Sequence, residues 1–222
     1  MLAFFGGRRG FFVEAGANHP VVSSQTWLLE QQGWRGVLIE PNPELAALCR
    51  AQRPSSQVFA CALVAPGGPP EVRMRIPASG LSGTELAEIC ADPADAAPGG
   101  FFMCPARTLN SVLEEAAPAK IDYLSIDLEG YEVPALRGFD WRRWQPTLLS
   151  IEDHCESLAT YRVVTANGYR FIRRIGDNDW FVPADSPLRP STAERVRMVR
   201  KKFLSLPFRK LRQFVRSLRR RP

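Results

Sequence analysis

Short apolar runs alternate with stretches of helical pattern between residues 11 and 63 of the chain. Three of these runs, at residues 11–14, 36–40 and 58–63, have the composition of buried strands. Residues 23–32 and the segment that follows Pro43 have helical spacing, and Gly33 ends the first of these helices. Strands that alternate with helices in this way form parallel sheets with right-handed crossovers. The sequence therefore predicts an α/β fold with a doubly wound, mostly parallel sheet.

The second half of the chain continues this pattern and then departs from it. Strands are predicted at 121–127 and 147–152, and helices at 109–116, 133–137 and 157–167. Two further runs, Tyr169–Ile175 and Trp180–Val182, flank a turn at 176–179 that is rich in Gly, Asn and Asp, which predicts a C-terminal antiparallel hairpin. Residues 77–106 are rich in Ala, Gly and Pro, and we predict an irregular, partly helical insertion there, a candidate cover for a substrate.

Charge divides the chain at residue 193. Residues 193–222 contain 12 Lys/Arg and one acid, Glu194, whereas the other 192 residues contain 17 Lys/Arg and 22 Asp/Glu. We predict one domain at 1–192 and a basic amphipathic tail at 193–222, with Pro207 between two helices. Such helices bind anionic membrane surfaces, so a membrane partner is predicted for 194–221. A solvated extension, or binding to nucleic acid or an acidic protein, stays open, as does the oligomeric state.

Other features of the sequence bear on compartment and cysteine chemistry. Arg8 and Arg9 follow the short N-terminal apolar run instead of preceding it, which is the wrong order for a secretory signal. We therefore predict a cytoplasmic protein, peripheral at the inner membrane surface if the tail binds lipid. The five cysteines are scattered without a Cys-x-x-Cys pair, which argues against a zinc site and a disulfide framework.

Acidic residues end four of the predicted strands. They are Glu14, Glu40, Asp127 and Glu152, and ligands of open α/β sheets bind beyond the carboxyl ends of the strands. The turn after Glu14 has only Gly16 of the dinucleotide-binding glycines, so NAD is disfavoured. A carboxylate at position 14 suits the ammonium and sulfonium of S-adenosylmethionine, and Glu40 is placed to accept hydrogen bonds from ribose hydroxyls.

Two blocks of the sequence resemble the FkbM family of methyltransferases. The first comprises FFVEAGAN at 11–18 and GWRGVLIEPNP at 33–43, and the second is IDYLSIDLEGYE at 121–132. This resemblance implies a class I methyltransferase (Rossmann-like) fold with S-adenosylmethionine as cofactor. It also implies O-methylation of a sugar or another small hydroxylated metabolite, such as a glycan or a polyketide-like acceptor.

The resemblance also implies a set of cofactor-binding residues. The loop around the methionine end of the cofactor corresponds to Glu14, Gly16, Ala17 and Asn18. The ribose ligand corresponds to Glu40, the neighbours of the adenine to Pro41, Asn42, Cys61 and Ala62, and the acid near the methyl group to Asp127.

The sequence offers more than one candidate group for removing the proton of the acceptor hydroxyl. His154 is a predicted general base because an unperturbed imidazole titrates at about 6.5. Alternatively, Asp127, Glu152 and Asp153 could hold Mg²⁺, which would acidify the hydroxyl. The acids could also be strand caps that contact only cofactor or backbone. A nucleic-acid methyltransferase, which the acidic body disfavours, and a non-catalytic module with the cofactor fold are the alternative functions.

Overall fold

The computed structural model describes residues 1–77, 88–90, 99–155, 157–205 and 208. The chain divides into two compact units, Met1–Thr147 and Leu148–Pro222. Each unit is built from a small number of strands with helices between them.

The first unit holds the parallel strands that the sequence predicts. Its strands are β1 (Phe11–Ala15), β2 (Arg35–Ile39), β3 (Ser56–Phe59), β4 (Ala62–Leu63), β5 (Glu71–Pro77), β6 (Glu88–Ile89), β7 (Gly99–Arg107) and β8 (Tyr123–Ile126). Its helices are α1 (Leu2–Phe5), α2 (Trp27–Gln31), α3 (Pro43–Gln52), α4 (Leu109–Ala116) and α5 (Glu132–Arg137). The parallel part of the sheet has the order β8-β1-β2-β3.

The central strands are mostly apolar, as is typical of strands with both faces buried. Phe12, Val13, Val37 and Leu38 have no exposed surface. Gly36 lies against the ring of Phe12, where an added Cβ would come within 2.3 Å of a ring carbon. Because Gly36 has no side chain, the ring of Phe12 can lie over it while β1 and β2 pair through their backbones.

The structure corrects two of the predicted elements. The predicted third strand at 58–63 is divided, because β3 belongs to the parallel sheet whereas β4 belongs to a second sheet of order β4-β7-β5-β6. The predicted irregular insertion at 77–106 is extended where it is described, with β6 and the nine-residue β7 pairing on either side of β5. Residues 78–87 and 91–98 of that prediction lie outside the described residues.

The second unit contains the predicted hairpin. Its elements are β9 (Leu148–Glu152), α6 (Ala159–Ala166), β10 (Tyr169–Ile175), β11 (Asn178–Pro183) and α7 (Thr192–Met198), followed by a π-helix at Val199–Leu204. Strand β11 is antiparallel to both β10 and β9, and the turn is shorter than predicted because β11 begins at Asn178. Parallel strands in the first unit and antiparallel strands in the second, with helices between them, confirm the predicted α/β fold class.

The first part of the predicted tail is folded into the second unit. Ser191 caps α7 by accepting a hydrogen bond from the amide of Glu194. The side chain of Lys202 is 1% exposed and pairs with the carboxylates of Asp153 and Asp179. The tail therefore does not leave the fold at residue 193, and the predicted helix after Pro207 lies outside the described residues apart from Phe208. No helix in the described part of the chain is long and apolar enough to span a membrane.

Candidate active site

A cavity of about 870 Å³, its open mouth included, lies at the carboxyl ends of β1, β2 and β8. Most of the residues that the family resemblance implies as cofactor-binding line this cavity, together with Asp127. These are Glu14, Gly16, Ala17, Asn18, Glu40, Pro41, Cys61 and Ala62. Every residue that lines it belongs to the first unit.

Glu40 follows β2 and is held by the backbone on both sides of its carboxylate. Its Oε2 accepts a hydrogen bond from the amide of Asn18 at 2.7 Å, and its Oε1 accepts one from the amide of Asn42 at 2.8 Å. Burial raises the pKa of Glu40 to about 7, opposed by these two amides and assisted by the charge of Glu14. Since each carboxylate oxygen has two acceptor sites, Glu40 can still accept two further hydrogen bonds.

Asn42 acts on the site through the backbone and does not line the cavity. Its side-chain oxygen accepts hydrogen bonds from the amides of Glu44 and Leu45, so Asn42 is the N-cap of α3, with Pro43 in the first turn. Asparagine is among the favoured residues at this position. Its role is to begin α3 and to present its own amide to Glu40, and this geometry does not support the predicted contact with adenine.

The turn after β1 is shaped by Gly16. This residue has φ of +82°, and an added Cβ would lie 1.8 Å from the carbonyl oxygen of Asp127. The amides of Gly16 and Ala17 both donate to the carbonyl of Ile39, at 2.9 and 3.1 Å. The backbone of β1 and the segment after β8 thus approach more closely than any side chain would allow.

Asn18 provides an acceptor in this turn. Its Oδ1 is buried and has no hydrogen-bond partner among the described residues, and the residue lines the cavity. A buried acceptor without a partner costs stability unless a ligand supplies a donor. Asn18 is therefore suited to bind an N–H group of a molecule in the cavity.

Glu14 is buried and is engaged by protein donors. Its carboxylate accepts hydrogen bonds from the amide of Gln25 at 2.5 Å and from the hydroxyls of Ser24 and Thr26. Burial raises the pKa of Glu14, although these donors and the charge of Arg53 act in the opposite direction. The geometry gives Glu14 a positioning role for the segment at 24–26, and direct attraction of a charged ligand stays a prediction.

A buried arginine behind Glu14 was not predicted from the sequence. The guanidinium of Arg53 pairs with Glu30, donates to the hydroxyl of Thr26 at 2.9 Å, and has no exposed surface. It also donates to the carbonyl of Pro20 at 2.9 Å. Sequence patterns place charged residues such as Arg53 in solvent. The one signal for burial was its partner Glu30, which lies on α2, a helix that packs against the sheet.

The segment after β8 carries Asp127 to the cavity. The amide of Asp127 donates to the carbonyl of Ala15 at 3.0 Å, which continues the ladder with β1. The next turn is held by Glu132, whose Oε1 accepts hydrogen bonds from the amides of Leu128 and Gly130, both at 3.0 Å. Asp127 therefore lies at the start of a turn held by hydrogen bonds, and its predicted position near the methyl group of a cofactor stays a prediction.

The other predicted catalytic and metal-binding residues belong to the second unit. His154 lies with its Nε2 3.4 Å from a carboxylate oxygen of Glu152. The carboxylate of Asp153 is committed elsewhere, because it accepts a hydrogen bond from the amide of Cys155 and pairs with buried Lys202. The predicted Mg²⁺ set of Asp127, Glu152 and Asp153 is therefore not supported, and the assignment of His154 as a base stays a prediction.

A second groove adjoins the cavity in the first unit. It has a volume of about 990 Å³ with its open mouth included and shares Ile89 and Tyr131 with the cavity. Arg73 and Arg137 also line it. Sequence patterns did not indicate this groove because one of its walls, β6, belongs to the region predicted to be irregular.

Comparisons with known proteins identify a family for this chain. Residues 14–171 match the family described as the methyltransferase FkbM domain. The structure of a methyltransferase FkbM from Methylobacillus flagellatus KT is 16% identical over 80% of this chain and 45% of that one, with a TM-score of 0.48. A TehB-like SAM-dependent methyltransferase from Corynebacterium glutamicum ATCC 13032 Kitasato is 11% identical over 82% and 83%, with a TM-score of 0.42. This chain spans less than half the length of the FkbM structure. No curated protein matches it.

Proposed function

Because this chain belongs to the FkbM family of methyltransferases, we propose that it is an S-adenosylmethionine-dependent O-methyltransferase. Its acceptor in this proposal is a hydroxyl of a sugar or another small hydroxylated metabolite. The observation that carries the cofactor assignment is the buried carboxylate of Glu40, oriented by two backbone amides and retaining acceptor capacity.

The residues of the cavity fit S-adenosylmethionine by their chemistry. Glu40 would accept hydrogen bonds from the two ribose hydroxyls, and Asn18 would accept one from the ammonium group. Leu63, Met74 and Ile89 give the cavity an apolar wall that suits the adenine ring. When bound, S-adenosylmethionine supplies an electrophilic methyl group. A buried acid and a single glycine in the turn would oppose the pyrophosphate of NAD.

In this proposal the groove beside the cavity receives the acceptor. It shares Tyr131 with the cavity, so an acceptor there would lie next to the cofactor. The protein must align the acceptor hydroxyl and take its proton, and a general base contributes typically about 10²–10⁴-fold. Asp127, which lines the cavity, and His154, paired with Glu152, are the proposed residues for orientation and proton removal.

Calorimetric titration with S-adenosylmethionine and, separately, with NAD⁺ tests the cofactor assignment. We expect micromolar binding of S-adenosylmethionine alone, and loss of that binding in Glu40→Ala. The matched control is Glu44→Ala, which removes an exposed carboxylate from the first turn of α3. Binding of NAD⁺ instead would overturn the proposal, and binding of neither would favour a non-catalytic module.

Transfer of a labelled methyl group to a panel of sugars and other hydroxylated metabolites tests the reaction. We expect a methyl ether as the product, identified by mass spectrometry. Asp127→Asn and His154→Ala are expected to slow turnover while leaving cofactor affinity largely intact. If neither substitution slows turnover, the assignment of these two residues is wrong. Methylation of nucleic acid but of no small molecule would favour the alternative acceptor class.

A further inference from the structure

The C-terminal helices of the second unit expose apolar and cationic side chains together. Val196, Val199, Leu204 and Phe208 are 62%, 42%, 62% and 74% exposed. The side chains of Arg195, directly before Val196, and Arg200, directly after Val199, are exposed as well. We call these six residues the tail surface.

The segment that carries the tail surface is fixed to the fold by charge. Lys202 is buried, and its Nζ lies 2.5 Å from Asp179 and pairs also with Asp153. Arg174 completes the cluster by donating to Asp179 at 2.9 Å. Since two buried cations face two buried acids, the cluster is balanced, and the exposed apolar residues cannot turn inward without breaking it.

The chemistry of the tail surface indicates its partner. Exposure of valine, leucine and phenylalanine side chains to water is unfavourable, whereas the arginines beside them are attracted to a negatively charged surface. An anionic bilayer surface offers both environments side by side. Its headgroups attract the cations, and the apolar side chains enter the boundary between the headgroups and the acyl chains. Nucleic acid would satisfy the arginines and leave the apolar side chains in water.

The sequence beyond the described helices has the same character. Residues 209–222 contain seven Lys/Arg and no acid, with Leu211, Phe214, Val215 and Leu218 among them. We propose that the tail surface docks the protein on membranes that contain anionic lipid. This proposal does not depend on the methyltransferase reaction.

Co-sedimentation of the full chain with vesicles tests the proposal. We expect binding to phosphatidylcholine vesicles that contain phosphatidylglycerol, and little binding to phosphatidylcholine alone. Raised salt should weaken the binding, because the attraction between cations and headgroups is screened. Arg195→Gln together with Arg200→Gln should weaken binding about tenfold or more, since each cation near the surface contributes about fivefold.

The apolar contribution is tested by a matched pair of triple variants. Val196→Ser, Leu204→Ser and Phe208→Ser together should reduce binding about tenfold or more. The control is Leu28→Ser, Met103→Ser and Leu188→Ser, which removes side chains that are 63%, 60% and 44% exposed elsewhere on the protein. A thermal melt of each variant checks that the fold is retained.

Four results would overturn the proposal, the last of which assigns the tail surface to another partner. The first is equal binding to vesicles with and without anionic lipid. The second is unchanged binding in the triple tail variant, and the third is equal loss in the control variant. Tight binding to double-stranded DNA with no vesicle binding would assign the tail surface to nucleic acid instead.

Discussion

Lowering the pH from 8 to 6 is expected to weaken S-adenosylmethionine binding through Glu40. Burial raises the pKa of this carboxyl to about 7, and only the ionised form accepts hydrogen bonds from both ribose hydroxyls. The ionised fraction is about 0.9 at pH 8 and about 0.1 at pH 6, so the apparent Kd should rise about tenfold between them. Binding at pH 7 should release about half a proton per cofactor.

The stability of the free protein should respond to pH in the opposite direction. The pKa of Glu40 is raised from 4.5 in the unfolded chain to about 7 in the fold. The folded state therefore binds the extra proton, and this contribution to stability is present at low pH and lost as the pH rises through 7. Its size is about 3 kcal/mol for Glu40 alone. Cofactor binding thus uses the protonation state that destabilises the empty fold.

Calorimetric titration at pH 6, 7 and 8 in buffers of different ionisation enthalpy measures the apparent Kd for S-adenosylmethionine and the number of protons released on binding. Glu40→Gln is the reference, because its amide does not titrate, and protonation of the cofactor itself affects both proteins equally. The ratio of the two affinities should increase about tenfold from pH 6 to pH 8. A constant ratio, or no proton release attributable to Glu40 at pH 7, would refute the reasoning.

Two further predictions concern stability, measured by urea-induced unfolding. Gly16→Ala should destabilise the protein by about 3 kcal/mol or more and abolish cofactor binding, because the new Cβ meets the carbonyl of Asp127 at 1.8 Å. Gly67→Ala, also at positive φ but with open space around it, should cost only about 1–2 kcal/mol; equal costs would exclude the contact as the cause. Lys202→Met should cost about 3–5 kcal/mol because it leaves two buried aspartates with a single cation. The adjacent Lys201→Met should change stability by less than about 0.5 kcal/mol, and a similar loss in both would argue against the buried pair.

The parts of the site that were predictable are those that follow from the sheet. Parallel strands end at one edge, so acids that directly follow them converge there. Glu14, Glu40 and Asp127 lie around one cavity for this reason. The sequence also predicted a break after β1 that contains Gly16, and the missing side chain of Gly16 lets two backbone segments meet there.

The hydrogen-bond and ion-pair partners of buried side chains were not predictable from the sequence. They depend on which residues of a distant element the fold brings next to them. Glu14 was expected to face a charged ligand, whereas the fold surrounds it with hydroxyl and amide donors from residues 24–26. Periodicity assigns charged residues to the solvent side, and this rule fails for Arg53 and Lys202, which are almost completely buried.

Arg53 and Lys202 are buried for the same physical reason. Each buried cation is neutralised by acids that lie far from it in the sequence: Arg53 by Glu30, and Lys202 by Asp153 and Asp179. Burying such a pair adds little net stability, but removing one partner is costly, so each pair fixes its segment in one position. Arg53 thereby fixes the loop that holds Glu14 at the cofactor cavity, and Lys202 fixes the helices that carry the tail surface. The net charge by which the sequence predicted a basic amphipathic tail thus includes a lysine that ties the first part of this segment to the second unit.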